Sequence, residues 1–273
     1  MTLSERNNVH IEGQGLEAMV FVHGFGCDQN MWRFVEPEFR PDFRTVRYDL
    51  TGCGHSDLSR YDFQRHGTLH GHAEDLVALL RELDLTAVTL VGHSVSASIG
   101  MLAAIQEPRP FRRLVMVAPS PRYLDDEGYI GGFDLASIES LLETLDLNYF
   151  GWAANTAPLI MGNPDRPQLG QELASSFCRN DPKIASHFAR VTFLSDHRND
   201  LAQCKQPSLI LQCREDVIAP LAVGEYLHRN LPKSKLVIMK ATGHCPNLSA
   251  PAETIAEMRL FLGECEGQGE GFP

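Results

Sequence analysis

The chain runs to 273 residues, a length that an α/β fold fills around a single sheet. With 43% hydrophobic and 22% charged residues it has the composition of a globular protein able to bury a large core, which excludes disorder as the default. A formal net charge of -11, with no run of Lys or Arg, excludes nucleic acid and an anionic membrane surface as main partners.

Taken in chain order, Ala18-Met19-Val20-Phe21-Val22 reads as a buried strand entering the glycine-rich turn His23-Gly24-Phe25-Gly26. Residues 44–49 give a second strand, again ending toward glycines, Gly52 and Gly54. The period then changes: Ala73, Leu76, Val77, Leu79, Leu80 and Leu83 recur at helical spacing. Ala87-Val88-Thr89-Leu90-Val91 is the next strand, and it enters Gly92-His93-Ser94-Val95-Ser96 before a helix of small and apolar residues from Ala97 to Ile105. Residues 114–118, 208–212 and 236–239 are further strand candidates, the first two being continuous apolar runs of the kind that parallel strands covered on both faces show. The alternation predicts an α/β fold with a mostly parallel sheet and with ligand chemistry at the carboxyl ends of the strands.

About ninety residues separate the strand ending near Ala118 from the one starting near Ser208, far beyond an ordinary loop. Helical spacing within them predicts a helical cap over residues 134–197, with Pro158, Pro164, Pro167 and Pro182 as breaks between helices. The Gly/Glu-rich end, residues 263–271, is expected to fray. The seven cysteines are odd in number and scattered without a C-x-x-C pair, so neither a zinc site nor a redox motif is expected, and a reducing cytoplasm fits best. The first ten residues are polar, and no stretch approaches the ~20 apolar residues of a membrane span. No export, membrane attachment, metal or cofactor is therefore expected.

A serine hydroxyl needs a base, a group to orient that base, and donors for the oxyanion formed on attack. Ser94 sits between a strand and a helix in Gly92-x-Ser94-x-Ser96, where small flanking residues allow a strained turn that lifts the hydroxyl above the sheet. Ser96 stands where that motif has a second glycine. The acid should follow the penultimate strand, which offers Asp216, with Glu215 as its nearest rival. His244, on the glycine-bordered loop Thr242-Gly243-His244-Cys245-Pro246 after the last strand, is the base in the required chain order. Expected oxyanion donors are the backbone N–H groups of Phe25 and Val95. His93 reads as packing within the turn, Cys245 as a packing thiol, and Gly52-Cys53-Gly54 as a structural turn, since it lacks a phosphate-loop lysine. Phe25, Phe133, Trp152 and Phe193 are the expected pocket residues, although the aromatic residues of the cap, with Tyr149, Phe150 and Phe188 among them, could equally form its own core.

Residues His23 to Gln29, Gly54-His55-Ser56-Asp57, Gly92-His93-Ser94-Val95, Ser120-Pro121-Arg122-Tyr123-Leu124, Gly131-Gly132-Phe133, Asn148-Tyr149, Ser195-Asp196-His197-Arg198 and Gly243-His244-Cys245-Pro246 together carry a resemblance. The chain resembles the RsbQ-type branch of the α/β-hydrolases, related to the plant strigolactone and karrikin receptors. Val95-Ser96 follows the receptors, whereas Asn163-Pro164-Asp165-Arg166-Pro167 and Phe177-Cys178 follow RsbQ. The resemblance implies a core over residues 1–122 and 201–264, a V-shaped helical lid over 123–200 and a flexible tail over 265–273. It also implies a cofactor-free Ser94-His244-Asp216 triad and an apolar pocket for a small hydrophobic ligand. Three functions stay open: a hydrolase of small esters or lactones, a stress-signalling regulator paired with a sensor phosphatase, and a ligand receptor with incidental hydrolysis. Epoxide hydrolase and haloalkane dehalogenase chemistry would need aspartate at position 94, while perhydrolysis by the same triad stays open.

Overall fold

A computed structural model describes residues 1–267, with side chains as far as Cys265. Its strands are β1 (His10–Glu12), β2 (Ala18–Val22), β3 (Arg44–Tyr48), β4 (Val88–His93), β5 (Phe111–Val117), β6 (Ser208–Glu215) and β7 (Ser234–Thr242). They form one seven-stranded sheet in the order β1-β3-β2-β4-β5-β6-β7. Only β1 runs antiparallel to its neighbour, and the rest are parallel. Parallel strands need long crossovers, and these crossovers carry helices onto both faces, so β2 and β4 are buried throughout. The side-chain alternation of β2 divides the core: Ala18, Val20 and Val22 pack on one face, Met19 and Phe21 on the other.

The helices in chain order are α1 (Leu3–Arg6), α2 (Leu69–Glu82), α3 (Val95–Gln106), α4 (Leu135–Leu147), α5 (Tyr149–Met161), α6 (Pro167–Cys178), α7 (Pro182–Phe193), α8 (Leu221–Asn230), α9 (Pro246–Ser249) and α10 (Pro251–Gly267). Helices α2, α3 and α8 cover the first face. Met258 and Phe261 of α10 join the second, together with much of the insertion between β5 and β6.

That insertion holds α4 to α7. Asn148 ends α4 and caps α5 by accepting the Gly151 N–H, and Asp181 caps α7 by accepting from Lys183 and Ile184. Pro167 and Pro182 open α6 and α7, the first-turn position where a missing N–H costs least. Pro158 was expected to break a helix but lies inside α5, whose last turn runs on to a left-handed Gly162. Helix α6 packs on that turn so closely that a Cβ at Gly170 would lie 2.9 Å from the Pro158 Cα. The two legs of the insertion are joined by a bridge between Arg122 and Asp196, with Arg198 paired to Asp126 at 2.7 Å. Of the tail expected over 265–273, residues 265–267 continue α10 and the others lie outside the described residues.

Candidate active site

Strand β4 ends at His93 and α3 begins at Val95, leaving Ser94 alone in the turn with φ +55° and ψ -124°. An L-residue there is strained by about 1–3 kcal/mol and persists only where its surroundings hold it. Ser94 N–H donates to Val117 O at 2.8 Å. Close approach explains the glycines: a Cβ at Gly92 would lie 2.5 Å from Ser96 O, and one at Gly24 would lie 2.4 Å from His93 Nδ1. Ser96 is fully buried and its hydroxyl donates to His23 O. A serine thus fills the second-glycine position and ties the Ser94 turn to the neighbouring loop.

His244 Nε2 lies 2.8 Å from Ser94 Oγ, and His244 Nδ1 lies 2.7 Å from Asp216 Oδ2. Asp216 and His244 are 7% and 4% exposed. The other carboxylate oxygen, Asp216 Oδ1, accepts the N–H groups of Ile218 at 2.8 Å and Ala219 at 3.1 Å, which fixes the side chain and leaves Oδ2 for the imidazole. A proton on Nδ1 directed at the carboxylate leaves the Nε2 lone pair facing the serine hydroxyl. Glu215 is exposed and meets this loop only through its backbone, where its carbonyl accepts the Gly243 N–H at 2.7 Å.

The histidine loop is braced by the insertion. His244 N–H donates to Ile160 O at 2.9 Å, and Gly243, at φ +81°, approaches Met161 O so closely that a Cβ would lie 1.8 Å from it. His93 Nε2 donates to His244 O at 2.8 Å. Burial, with the neighbouring His244 adding to it, holds the His93 ring neutral down to about 3, so it is a brace and not a second base.

Val95 is the first residue of α3, where an N–H has no intrahelical acceptor. Phe25 lies in a turn closed by Cys27 N–H on Gly24 O at 3.2 Å. Among the described residues neither the Phe25 nor the Val95 N–H has a protein acceptor.

Ser94 and His244 line a cavity of about 390 Å³, its mouth included. Phe25 and Phe193 line this cavity as expected residues of the pocket. Phe133 and Trp152 do not: Phe133 packs behind Phe193 at 6.1 Å between ring centroids, and Trp152 stacks on Phe177 at 5.4 Å. Both expectations are corrected, because the inner faces of the insertion pack on one another before they reach the cavity. Residues not anticipated as lining include Tyr123, Ile160, Leu173, Phe177 and Ile218. The Tyr123 hydroxyl lies 3.4 Å from Ser94 Oγ, and burial pushes its pKa above the ordinary phenol range. Tyr123 lies within Ser120-Pro121-Arg122-Tyr123-Leu124, one of the segments that carry the family resemblance, and that is the signal by which it could have been found. The cavity also touches Cys27 and Cys245, buried thiols pushed upward by desolvation.

A parallel sheet with a strained serine turn at the end of its central strand, and a helical insertion above that turn, defines the class of the molecule. The alpha/beta hydrolase family matches residues 19–257, and this chain belongs to it. It is 38% identical over 250 residues to the Karrikin insensitive 2 receptor CA of Petunia hybrida, covering 91% of this chain and 93% of the relative. It is 36% identical over 259 residues to a strigolactone esterase of Arabidopsis thaliana, covering 94% and 97%. A solved hydrolase from Oleispira antarctica superposes with a TM-score of 0.93 at 38% identity, covering 96% of each chain. No described helix is long and apolar enough to cross a membrane.

Proposed function

We propose that this chain is a serine hydrolase of a small hydrophobic ester or lactone. The observation that carries the reading is the unbroken line from Ser94 Oγ through His244 to Asp216, 2.8 and 2.7 Å long, beside a mainly apolar cavity. Ser94 Oγ attacks the substrate carbonyl as His244 Nε2 takes the hydroxyl proton, and Asp216 Oδ2 stabilises the imidazolium through Nδ1–H. Negative charge on the former carbonyl oxygen meets the Phe25 and Val95 N–H groups, which need no protein bond broken to receive it. Collapse of the tetrahedral intermediate returns the proton to the leaving alcohol and leaves an acyl group on Ser94. Water, deprotonated by His244 in turn, releases the acid and restores the serine. Residues 123–200 act as the lid, and their apolar wall favours a hydrophobic ligand.

The test is hydrolysis of p-nitrophenyl acetate by the wild type and Ser94→Ala. A loss of at least ~10²-fold in kcat is expected, and an unchanged rate would sink the proposal. Trapping of an acyl group on Ser94, read by mass spectrometry, identifies the substrate class.

A receptor role is the second reading, supported by the likeness to a protein named as a receptor. Thermal shift with butenolides separates the two, because a stabilised protein holding intact ligand and recruiting a partner favours the receptor.

A further inference from the structure

The oxyanion assignment above rests on the Phe25 N–H, and the surroundings of that residue are unlike those of Val95. Val95 is anchored in the core by α3. Phe25 sits in the turn Gly24 to Cys27, whose third residue, Gly26, has φ +71°, the conformation a type II turn asks for at that position. On the core side the turn is pinned at Gly24: His23 Nδ1 donates to Gly24 O at 2.9 Å, while His23 Nε2 accepts the Leu50 N–H at 3.0 Å.

On the other side the pin comes from the lid. Gly26 O accepts from Asn180 Nδ2 at 2.8 Å and, at the longer 3.3 Å, from Ser176 Oγ. Among the described residues these are the donors found for that carbonyl, and both belong to the insertion. Helix α6 presses on the same peptide, since a Cβ at Gly26 would lie 2.5 Å from the Phe177 ring. The Phe25 ring is enclosed by Trp152, Phe177, Phe188 and Phe193, at 5.7 to 6.3 Å between centroids, and all four come from the insertion.

Asn180 itself is 8% exposed, and its Oδ1 is buried without a hydrogen-bond partner. A buried amide with its oxygen unsatisfied is a costly way to stabilise a fold. What the side chain supplies at this place is the donor.

We propose that Asn180 is a positioning residue for the oxyanion site: by holding Gly26 O it sets the turn that presents the Phe25 N–H to the reacting oxygen. Seating of the lid and completion of the oxyanion site are then one event. Lifting α6 frees Gly26 and lets the Phe25 amide swing, so ester bound under a raised lid is not turned over. Because the oxyanion forms only as the reaction proceeds, the effect falls on kcat and not on KM. Removing an oxyanion donor outright costs ~10²–10³-fold, and misaligning one should cost ~10–10²-fold.

The experiment measures p-nitrophenyl acetate hydrolysis by Asn180→Ala and Asn180→Asp beside the wild type and Ser94→Ala, with rates referred to folded enzyme by near-ultraviolet circular dichroism. At about pH 8 both Asn180 variants should lose at least ~10-fold in kcat, with KM changed less than ~3-fold. The near-isosteric Asn180→Asp variant adds a reading internal to itself. Its carboxyl is buried among the carbonyls of Gly26, Ser176 and Phe177, which raises its pKa, and once protonated it can donate to Gly26 O. Its kcat relative to wild type should therefore climb as the pH is lowered toward about 5, which loss of stability alone would not produce. A kcat held at the wild-type level, a rise in KM alone, or a pH-independent ratio in Asn180→Asp overturns the inference. If Asn180→Ala does not fold, the ratio in Asn180→Asp decides. Retained activity in Ser94→Ala strikes instead at the hydrolase reading underneath, whereas loss there with intact Asn180 variants removes this inference alone.

Discussion

Replacing Asp216 by Asn isolates the role of one carboxylate oxygen. Asp216 Oδ1 is occupied by the Ile218 and Ala219 amides, and those N–H groups can be met only by an acceptor. In Asp216→Asn the side-chain oxygen must therefore stay on that side and the NH₂ group must face His244 Nδ1. A donor there requires Nδ1 to accept, which moves the imidazole proton to Nε2, 2.8 Å from Ser94 Oγ, where it cannot take the hydroxyl proton. A wrong tautomer of this kind lowers kcat by ~10⁴-fold, equivalent to about 5.4 kcal/mol of transition-state stabilisation. The fold should suffer far less, because both backbone bonds survive and only the charge-assisted bond to His244 is weakened, at a cost of about 1–3 kcal/mol. Initial rates on p-nitrophenyl acetate and urea unfolding of the same preparations separate the two effects. A kcat loss below ~10-fold with the fold intact would refute the tautomer argument.

Stability should fall with acidity between about 6.5 and about 3, because burial lowers both His93 and His72 to about 3 while the unfolded chain protonates them near 6.5. The unfolded state then binds more protons throughout that window, so urea unfolding free energies should rise with pH across it, and a flat profile would contradict the neutral-imidazole assignment. Asp75, lowered to about 2 despite burial by its bonds to His66 and Thr51 and by Arg6 and Arg65, adds stability above the carboxylate range that is lost as the pH falls through about 2. Gly243→Ala should lose both activity and at least about 1 kcal/mol of stability, since φ +81° and the Met161 carbonyl leave no place for a Cβ. A loss under about 0.5 kcal/mol in urea would show that the loop accommodates it. Iodoacetamide at about pH 8 should label Cys178 and Cys265, which are part-exposed, before the five buried thiols; peptide mapping that finds Cys27 or Cys245 first would refute the burial of those two side chains.

Much of this architecture can be read from residue patterns for a physical reason: strands covered on both faces must be apolar along their length, and Val20, Val91 and Leu211 sit in such runs. The glycines around Ser94 were equally legible, because a strained turn between strand and helix tolerates few side chains. Strand β1 was not, since His10 and Glu12 are polar residues on an exposed edge and give no apolar run. Pro158 misled because a proline in the last turn of α5 removes one hydrogen bond without ending the helix. Trp152 and Phe133 misled for another reason. Trp152 lies on α5 and Phe133 in the segment bridged to Leu124 before α4, and both rings point into an insertion whose parts pack on each other as well as on the site, so only tertiary contact decides which ring reaches the cavity. Asn180 was hidden by its neighbours, because Asn180-Asp181-Pro182 reads as the start of a helix and Asp181 does cap α7.

The division of labour between core and insertion has a consequence for how this molecule should respond to change. Ser94 is held by core backbone: Ser94 N–H on Val117 O and Ala118 N–H on Leu211 O, each 2.8 Å, fix the two positive-φ residues that follow β4 and β5. Strain there is local and buried, so substitutions that disturb it, at Gly92 or Gly24, must move stability and activity together. The groups proposed to act with Ser94 are held from above. The Phe25 turn is tied to Asn180 and the His244 loop to Ile160, both in the insertion. These ties are few hydrogen bonds, each contributing only about 0.5–1.5 kcal/mol to folding, yet under the proposed mechanism each orients a group that acts on the transition state. Weakening them should therefore leave the protein folded with its serine in place and its turnover lowered, so that insertion and core substitutions separate on a plot of kcat against unfolding free energy.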